Sequence, residues 1–243
     1  MHSARERRKV SVSALVLSAP ELEAVGLSLK VAFWCMIASL PLGIAMAWLL
    51  ARRQFPGKHL VNGLVHLPLV LPPVAVGYLL LLLLGREGPL GAALYETFGI
   101  TVAFTWKGAA IASAVMGFPL LVRAIRLSLE TVDRGLEAAA RTLGAKPWRV
   151  FLTVTLPLTL PGILTGAILA FARSLGEFGA TITFVSNIPG ETRTLPLAIY
   201  TLSQTPDGDA AALRLVILSF LLAMAALVTS EILARRMLVR LGM

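Results

Sequence analysis

Long apolar stretches, separated by short polar segments, dominate the chain. Five stretches hold roughly 20 or more mostly apolar residues, which is the length that a helix needs to cross a hydrocarbon core about 30 Å thick. They cover residues 29–51, 60–84, 104–124, 158–185 and 213–233. Helix is favoured over strand because an open strand in lipid leaves its N–H and C=O groups without partners. The pattern predicts an all-α membrane protein with about five transmembrane helices.

The composition supports a membrane protein. Of 243 residues, 57% are hydrophobic and 14% are charged, with a mean hydropathy of +0.81, so a soluble enzyme is not expected. The net charge is +9, but the basic residues cluster at the ends of apolar stretches, which predicts no binding of nucleic acid. No fixed-period repeat or Ser/Gly-rich linker divides the chain, so we predict a single membrane domain of residues 1–243.

Lysine and arginine are distributed unequally among the polar connections. If the five helices alternate in direction, one set of connections is rich in these residues: Arg52, Arg53, Lys58, Arg123, Arg126, Arg134, Arg141, Lys146, Arg149, Arg235, Arg236 and Arg240. The other set holds few of them, and acidic residues accompany them: Arg86, Lys107 and Arg193. The positive-inside rule assigns the first set to the cytoplasm, which places the N-terminus outside.

The N-terminal segment conflicts with this orientation, because its basic arm would then lie outside the cell. The arm contains Arg5, Arg7, Arg8 and Lys9. Three explanations are open: a sixth span, a cleaved signal peptide, or an arm translocated despite its charge. The apolar run at residues 10–19 is too short to span a bilayer and is weak as a signal sequence. We favour five spans with the arm outside.

The residue types required for catalysis or metal binding do not occur in usable patterns. The chain lacks the Gly-x-x-x-x-Gly-Lys-Ser/Thr motif, so ATP hydrolysis would require another subunit. Its one cysteine, Cys35, excludes an internal disulfide, and His2, His59 and His66 lack metal-ligand spacing. We therefore predict no catalytic residue, no metal site and no cofactor bound by this chain.

The widest cytoplasmic connection, residues 126–157, is predicted to contain one or two short helices. Asp133 is placed to cap a helix, and Pro147 is placed to begin one. Between them, the small residues after Glu137 would let a helix fit closely into a groove of another protein. Arg141, Lys146 and Arg149 would face an acidic rim of that groove. The alternative is an ordinary amphipathic connecting helix.

A longer pattern favours docking. Glu137-Ala138-Ala139 is followed by Gly144, and nine residues separate Gly144 from Val154-Thr155-Leu156-Pro157. This arrangement resembles the cytoplasmic coupling loop of ABC importer permeases, although the gap before Gly144 is one residue longer than in that family's general pattern.

The resemblance implies that this loop sits in a cleft of a cytoplasmic ATPase subunit, which uses ATP and Mg, and transmits the closure of that subunit to the membrane helices. The implied docking residues are Glu137, Ala138, Ala139, Arg141, Gly144, Arg149, Leu156 and Pro157.

The fourth apolar stretch contains ionisable residues far from its ends. Arg173 and Glu177 are four positions apart, one helical turn, and such groups are costly in a membrane unless they are paired or face a cavity. One interpretation is a structural salt bridge in which Glu177 orients Arg173 or a neighbouring helix. The other is a polar path for an anion, in which Gly176 and Gly179 permit close approach or bending. The candidate path residues are Arg173, Ser174, Glu177, Gly179, Thr181 and Thr183.

The sequence Gly176-Glu177-Phe178-Gly179-Ala180-Thr181 and the segment 186–200 narrow the resemblance to molybdate and sulfate permeases. The sequence of residues 177–181 and the short length of the chain resemble the molybdate branch more closely. This resemblance implies a type I importer fold in the bacterial inner membrane, a homodimer of this chain in membrane lipid, cytoplasmic ATPase subunits and a periplasmic oxyanion-binding protein. Tungstate would be a second substrate. The alternatives are a sulfate or thiosulfate permease and, more distantly, a proton-driven secondary transporter.

Two further features predict local geometry. Pro68, Pro72 and Pro73 lie near the start of the second stretch, where missing N–H groups bend a helix. The bend is either a gate hinge or a fixed kink. Gly162 and Gly166 have the spacing of a helix contact face, which is equally compatible with chance.

Overall fold

The computed structural model describes residues 17–240. These residues form helices joined by short connections, with no strand among them. The α-helices are α1 Ala19–Arg52, α2 Lys58–His66, α3 Pro73–Leu84, α4 Pro89–Phe98, α5 Trp106–Thr131, α6 Arg134–Thr142, α7 Pro147–Val150, α8 Leu156–Leu175, α9 Gly179–Val185, α10 Leu195–Ser203 and α11 Asp209–Arg240. The predicted all-α class is confirmed. The basic arm at Arg5 to Lys9 lies outside the described residues.

Four helical segments in the described part of the chain are long and apolar enough to cross a membrane. They are Ala19–Arg52, Trp106–Thr131, Pro147–Leu175 and Asp209–Met237. A fifth candidate is a bent pair, Lys58–Leu69 followed by Pro73–Leu84. By length and composition, the structure therefore supports four spans, or five if the bent pair counts as one.

The second predicted span is a broken helix. Its two parts meet at an angle of 110°. Pro68 lies in a short 3-10 helix, Leu67–Leu69, and Pro73 is the first residue of α3. Proline is tolerated in the first turn of a helix. It has no backbone N–H, so it cannot continue the hydrogen-bond pattern of a preceding helix. The predicted bend is confirmed, and its use as a gate hinge stays a prediction.

The fourth predicted span, residues 158–185, is also broken, and its prediction as one continuous helix was wrong. α8 ends at Leu175, and a separate short helix, α9, begins at Gly179. Gly176 lies in the gap, and the Glu177 carboxylate accepts a hydrogen bond from the backbone N–H of Ala180 in the first turn of α9. Arg173 and Glu177 are therefore not one turn apart on the same helix.

The chain divides into two compact units. The first comprises residues 17–31, Pro73–Ala112 and Leu175–Ala223, and the second comprises Ala32–Pro72, Ser113–Ser174 and residues 224–240. Every lysine and arginine of the set assigned to the cytoplasm belongs to the second unit, and Arg86, Lys107 and Arg193 belong to the first. The two units thus separate the connections rich in lysine and arginine from those that hold few of these residues.

The first unit is held by contacts between segments far apart in sequence. Its buried core contains Ala24, Leu195, Ala198 and Leu215. Beside this core, Glu21 at the start of α1 accepts a hydrogen bond of 2.9 Å from Arg214 of α11. Ser28 accepts one of 2.6 Å from the backbone N–H of Leu195. These polar contacts fix the start of α1 against α10 and α11.

The core of the second unit is formed by α1, α5 and α8. Its buried residues are Ala47, Leu50, Leu121, Val122, Ile125, Leu129, Ile163 and Ala170. Two glycines of α8 face α5: a Cβ on Gly166 would lie 3.0 Å from the carbonyl oxygen of Leu121, and a Cβ on Gly162 would collide with Ser128. The Gly162-x-x-x-Gly166 contact face is therefore present, and it lets two backbones approach closely.

We predict that Gly162→Ala destabilises the protein, because the added methyl group must displace the backbone of α5 or α8. Overpacking of this kind costs about 1–3 kcal/mol, which lowers the apparent unfolding temperature by about 2–10 °C. The measurement is thermal unfolding of the purified protein in detergent. The matched control is Gly26→Ala, since a Cβ on Gly26 meets nothing within 4 Å. Equal unfolding temperatures for the two variants would contradict the close α5–α8 contact.

Candidate functional site

The connection between α5 and α8 has the helices that its sequence predicts. Asp133 caps α6: its side chain accepts a hydrogen bond of 2.7 Å from the backbone N–H of Gly135. α6 ends before Gly144, which has a φ of +85°, a conformation that glycine adopts without steric cost. Pro147 then begins α7, and a π-helical turn, Phe151–Thr155, leads into α8. The predicted short helices and both predicted helix starts are confirmed.

Glu137 is the buried anchor of α6. Its side chain is 11% exposed, and its Oε1 accepts hydrogen bonds from Arg52 Nη2 at 3.0 Å and Thr155 Oγ1 at 2.7 Å. Arg141 Nη2 lies 3.8 Å from Oε2. The carboxylate therefore joins α6 to the end of α1 and to the π-helical turn that precedes α8.

Arg52 reinforces this anchor. Its side chain is only 10% exposed, and Nη2 also donates to the carbonyl oxygen of Val132 at 3.5 Å. A buried ion pair of this kind gains little net stability over an apolar pair, but removal of one partner costs about 3–5 kcal/mol because the other charge is left uncompensated. The pair thus fixes the position of α6 more than it stabilises the whole fold.

The predicted docking residues fall into two groups. Ala138, Ala139, Arg141, Gly144 and Arg149 are exposed. The other three are less accessible: Glu137 is buried, and Leu156 and Pro157 are half-buried in the first turn of α8.

The sequence did not single out the apolar residues on the exposed side of the loop, although their position in a polar connection was a usable signal. Leu136, Leu143 and Trp148 are 50%, 88% and 62% exposed. We call the exposed residues Leu136, Ala139, Leu143, Gly144 and Trp148 the loop surface. Isolated apolar side chains on a surface are common, but a group flanked by basic residues is typical of a contact site.

The candidate path residues are divided between the two units. Arg173 and Ser174 lie in the last turn of α8 and belong to the second unit, whereas Glu177, Gly179, Thr181 and Thr183 belong to the first. Glu177 is 2% exposed, and its Oε1 lies 2.9 Å from the N–H of Ala180. Glu177 directly precedes Phe178, the N-cap residue of α9, and its carboxylate satisfies one free N–H of the first turn.

The two threonines of α9 donate their hydrogen bonds locally. Thr181 Oγ1 donates to the carbonyl oxygen of Phe178 at 2.8 Å, and Thr183 Oγ1 donates to that of Gly179 at 2.9 Å. Donation to an anion would require each hydroxyl to leave its helix carbonyl. The path role of both threonines stays a prediction.

Gly179 has a packing role within the first unit. A Cβ at this position would lie 2.7 Å from the Cβ of Pro73, and one on Gly77 would lie 2.9 Å from the Cα of Ala180. α3 and α9 are therefore packed closely at residues that lack side chains. The close approach predicted for Gly179 is present, whereas a Cβ on Gly176 would meet nothing within 4 Å.

Comparison with known proteins decides the family. A family model described as the binding-protein-dependent transport system inner membrane component matches residues 39–239. The chain belongs to this family. It is therefore an inner-membrane permease component of a transport system, and this membership favours an importer over a proton-driven secondary transporter.

The permease is similar to curated proteins over most of its length. It is 66% identical over 221 residues to the molybdenum transport system permease protein ModB of Escherichia coli strain K12, covering 91% of this chain and 96% of that protein. It is 59% identical over 222 residues to the protein of the same name from Haemophilus influenzae, covering 91% and 97%.

A solved structure confirms the fold. The permease matches a chain of a bacterial alginate ABC transporter, solved in complex with an alginate pentasaccharide-bound periplasmic protein, with a TM-score of 0.72. The match covers 93% of this chain and 82% of that chain at 18% identity. The predicted ABC importer permease fold is confirmed.

We predict that Arg52→Gln loosens α6 without unfolding the permease. Loss of the guanidinium leaves the buried Glu137 carboxylate without its closest cationic partner, so backbone amides in residues 134–142 should exchange at least about tenfold faster in hydrogen–deuterium exchange. The control is Arg235→Gln, which removes an exposed ion pair with Glu231 (side chains 76% and 62% exposed) that is worth about 0–1 kcal/mol. Unchanged exchange in Arg52→Gln would show that the ion pair does not anchor α6.

Proposed function

We propose that this chain is the membrane-spanning subunit of an ATP-driven ABC importer for molybdate, which also carries tungstate. The observation that supports the substrate most directly is the similarity to two relatives named for molybdenum transport, at 66% and 59% identity over nearly their whole length. The family description, which names dependence on a binding protein, supports import.

We propose three partners for the permease. A second copy of this chain completes the path for the anion, because a bundle of four or five spans has little room for a gated pore. α11 is largely apolar, and only 6% of its apolar stretch that could span the membrane is buried. Its surface is therefore available for lipid or for that second copy. Two cytoplasmic ATPase subunits bind ATP and Mg, and a periplasmic oxyanion-binding protein delivers the substrate.

The proposed coupling mechanism uses the two sides of α6 differently. The loop surface contacts the ATPase subunit, with Lys146 and Arg149 facing acidic residues of its cleft. On the opposite side, Glu137 holds α6 to Arg52 and Thr155. When ATP brings the ATPase subunits together, the anchored α6 passes their displacement to α1 and α8, and the helices change between inward-open and outward-open arrangements.

Selection of the anion is assigned mainly to the binding protein. A permease path needs only weak attraction, because tight binding would slow release. The candidate path residues from Arg173 to Thr183 supply one cationic side chain and several hydroxyl groups, which suits transient contact with an oxyanion.

Cellular metal content tests the substrate. In a strain lacking this chain, molybdenum measured by mass spectrometry at trace molybdate should fall, and return of the chain should restore it. Tungstate should block the restored uptake because it matches molybdate in charge, tetrahedral geometry and size, whereas equimolar sulfate, a smaller tetrahedral dianion, should not. Block by sulfate at comparable concentration would assign the chain to a sulfate or thiosulfate importer, and no dependence on the chain would contradict transport of molybdate altogether.

We also predict that Gly144→Asp prevents coupling to the ATPase. The new carboxylate would lie in the loop surface, beside side chains that have to enter a cleft with an acidic rim. We expect normal amounts of the variant in the membrane, at least about tenfold less co-purified ATPase, and loss of molybdate uptake.

Gly57→Asp is a matched control for this variant. Gly57 has a φ of +83°, close to the +85° of Gly144, and a Cβ at either glycine meets nothing within 4 Å. The backbone strain of the two substitutions is therefore similar, and only one lies in the loop surface. Equal yields of ATPase with both variants would contradict docking at Gly144.

A further inference from the structure

A basic pocket lies between the end of α1 and the α6–α7 connection, all within the second unit. It has a volume of about 460 Å³ and is lined by four arginines and one carboxylate, Arg52, Arg53, Arg134, Arg141 and Glu137. Four positive charges and one negative charge leave an excess of three positive charges. We call this cavity the arginine pocket.

The excess charge is not neutralised within the described chain. Arg52 and Arg141 share Glu137. Arg53 and Arg134 form no ion pair in the part of the chain that the structure describes, and both are exposed. The Arg53 guanidinium lies over the ring of Trp48, 5.3 Å from its centroid. The pocket therefore presents at least two guanidinium groups to a negatively charged ligand.

An apolar groove adjoins the arginine pocket. Its volume is about 650 Å³, and Trp48, Arg53, Pro147 and Phe151 line both cavities. Trp48 and Phe151 meet edge to face, with ring centroids 6.5 Å apart, and form the common wall. The remaining lining residues are Pro41, Ile44, Ala45, Leu49 and Trp148. One continuous site thus has a cationic end and an apolar end.

The position of the site relates it to the membrane. Residues 41–49 belong to a helix long and apolar enough to span the bilayer, whereas Arg52 and Arg53 follow at its cytoplasmic end by the distribution of lysine and arginine. Tryptophan is enriched at this boundary, and Trp48 lies four residues before Arg52. This orientation places the groove at the depth of acyl chains and the arginines at the depth of phosphate groups.

We propose that the arginine pocket and the adjoining groove bind an anionic phospholipid. Its phosphate lies among Arg53, Arg134 and Arg141, and an acyl chain lies along Ile44, Ala45 and Leu49. Basic pockets between transmembrane helices on the cytoplasmic side are suited to anionic lipid head groups. A soluble anion would bind the arginines and leave the apolar groove empty. An apolar partner helix would fill the groove and leave the arginines without a negative partner. This inference depends on the membrane location and not on the transported anion.

The site adjoins the coupling anchor. Arg141 lines the pocket and also lies 3.8 Å from the Glu137 carboxylate. A lipid phosphate that binds Arg141 would therefore contact α6 directly. The lipid would act as a further contact between α6 and the end of α1.

Native mass spectrometry of the purified assembly that contains the full chain tests the proposal. Phosphatidylglycerol and phosphatidylcholine are added in parallel to the wild type and to an Arg53→Gln/Arg134→Gln variant. We expect phosphatidylglycerol to bind the wild type and phosphatidylcholine not to bind. Each arginine near an anionic lipid contributes enough attraction that its loss weakens binding about fivefold, so the double variant should bind about 25-fold more weakly.

The matched control is Arg235→Gln/Arg236→Gln, which removes the same charge from exposed positions of α11 and should leave binding unchanged. Thermal unfolding of each variant checks that the fold is intact. Glycerophosphoglycerol, the head group without acyl chains, should not compete at concentrations where phosphatidylglycerol saturates the site.

Three results would overturn the proposal. Equal binding of phosphatidylglycerol by the wild type and the Arg53→Gln/Arg134→Gln variant would show that the lipid binds elsewhere. Competition by glycerophosphoglycerol would indicate a site for soluble oxyanions. Absence of bound phosphatidylglycerol from the wild-type assembly would show that lipid does not occupy the groove in the assembled transporter.

Discussion

The carboxylate of Glu137 determines how the connection between α5 and α8 is positioned. It is buried against Arg52 at 3.0 Å and Thr155 at 2.7 Å, so one side chain ties α6 to the end of α1 and to the turn that leads into α8. A polar connection exposed to water would otherwise have only local helical hydrogen bonds to hold it, and a nine-residue helix is marginal without tertiary contacts. A loop that passes a displacement from one protein to another has to be exposed on one side and fixed on the other. α6 meets both requirements, because Leu136 is 50% exposed while Glu137 is buried.

Local signals in the sequence predicted the local structure well. Asp133 and Pro147 marked helix starts because capping and a missing N–H act within a few residues, and the prolines at 68, 72 and 73 marked the 110° bend. The break after Leu175 was not predicted because the apolar character of the sequence continues through it. A hydropathy pattern also contains no sign of the hydrogen bond from the Ala180 N–H to Glu177. α4 and α10 were missed because each is shorter than a span. Arg52 was missed as the partner of Glu137 because 85 residues separate them, and only the folded chain brings them together.

Some of the basic residues that predict the orientation of the chain in the membrane also have specific roles in the structure. Arg52 neutralises a buried carboxylate, and Arg53 lies over Trp48 at the boundary of the arginine pocket and the apolar groove. Topology signals are usually described as a bulk property of loops, yet here neighbouring arginines serve as an internal anchor and, in our proposal, as a lipid contact. Glu177 also has a specific structural role. It is an acidic residue within an apolar stretch, and its carboxylate accepts the Ala180 N–H in the first turn of a short helix.

Transport efficiency in a reconstituted system tests the central claim, that the Glu137 anchor passes ATPase movement to the membrane helices. The measurement is the amount of molybdate taken up per ATP hydrolysed by proteoliposomes that contain the wild-type or the Thr155→Val assembly. Thr155→Val removes one hydrogen bond to Glu137, leaves the loop surface unchanged and keeps the side-chain shape. We expect the variant to retain its ATPase and to hydrolyse ATP, with several-fold less uptake per ATP. An unchanged ratio would contradict the account.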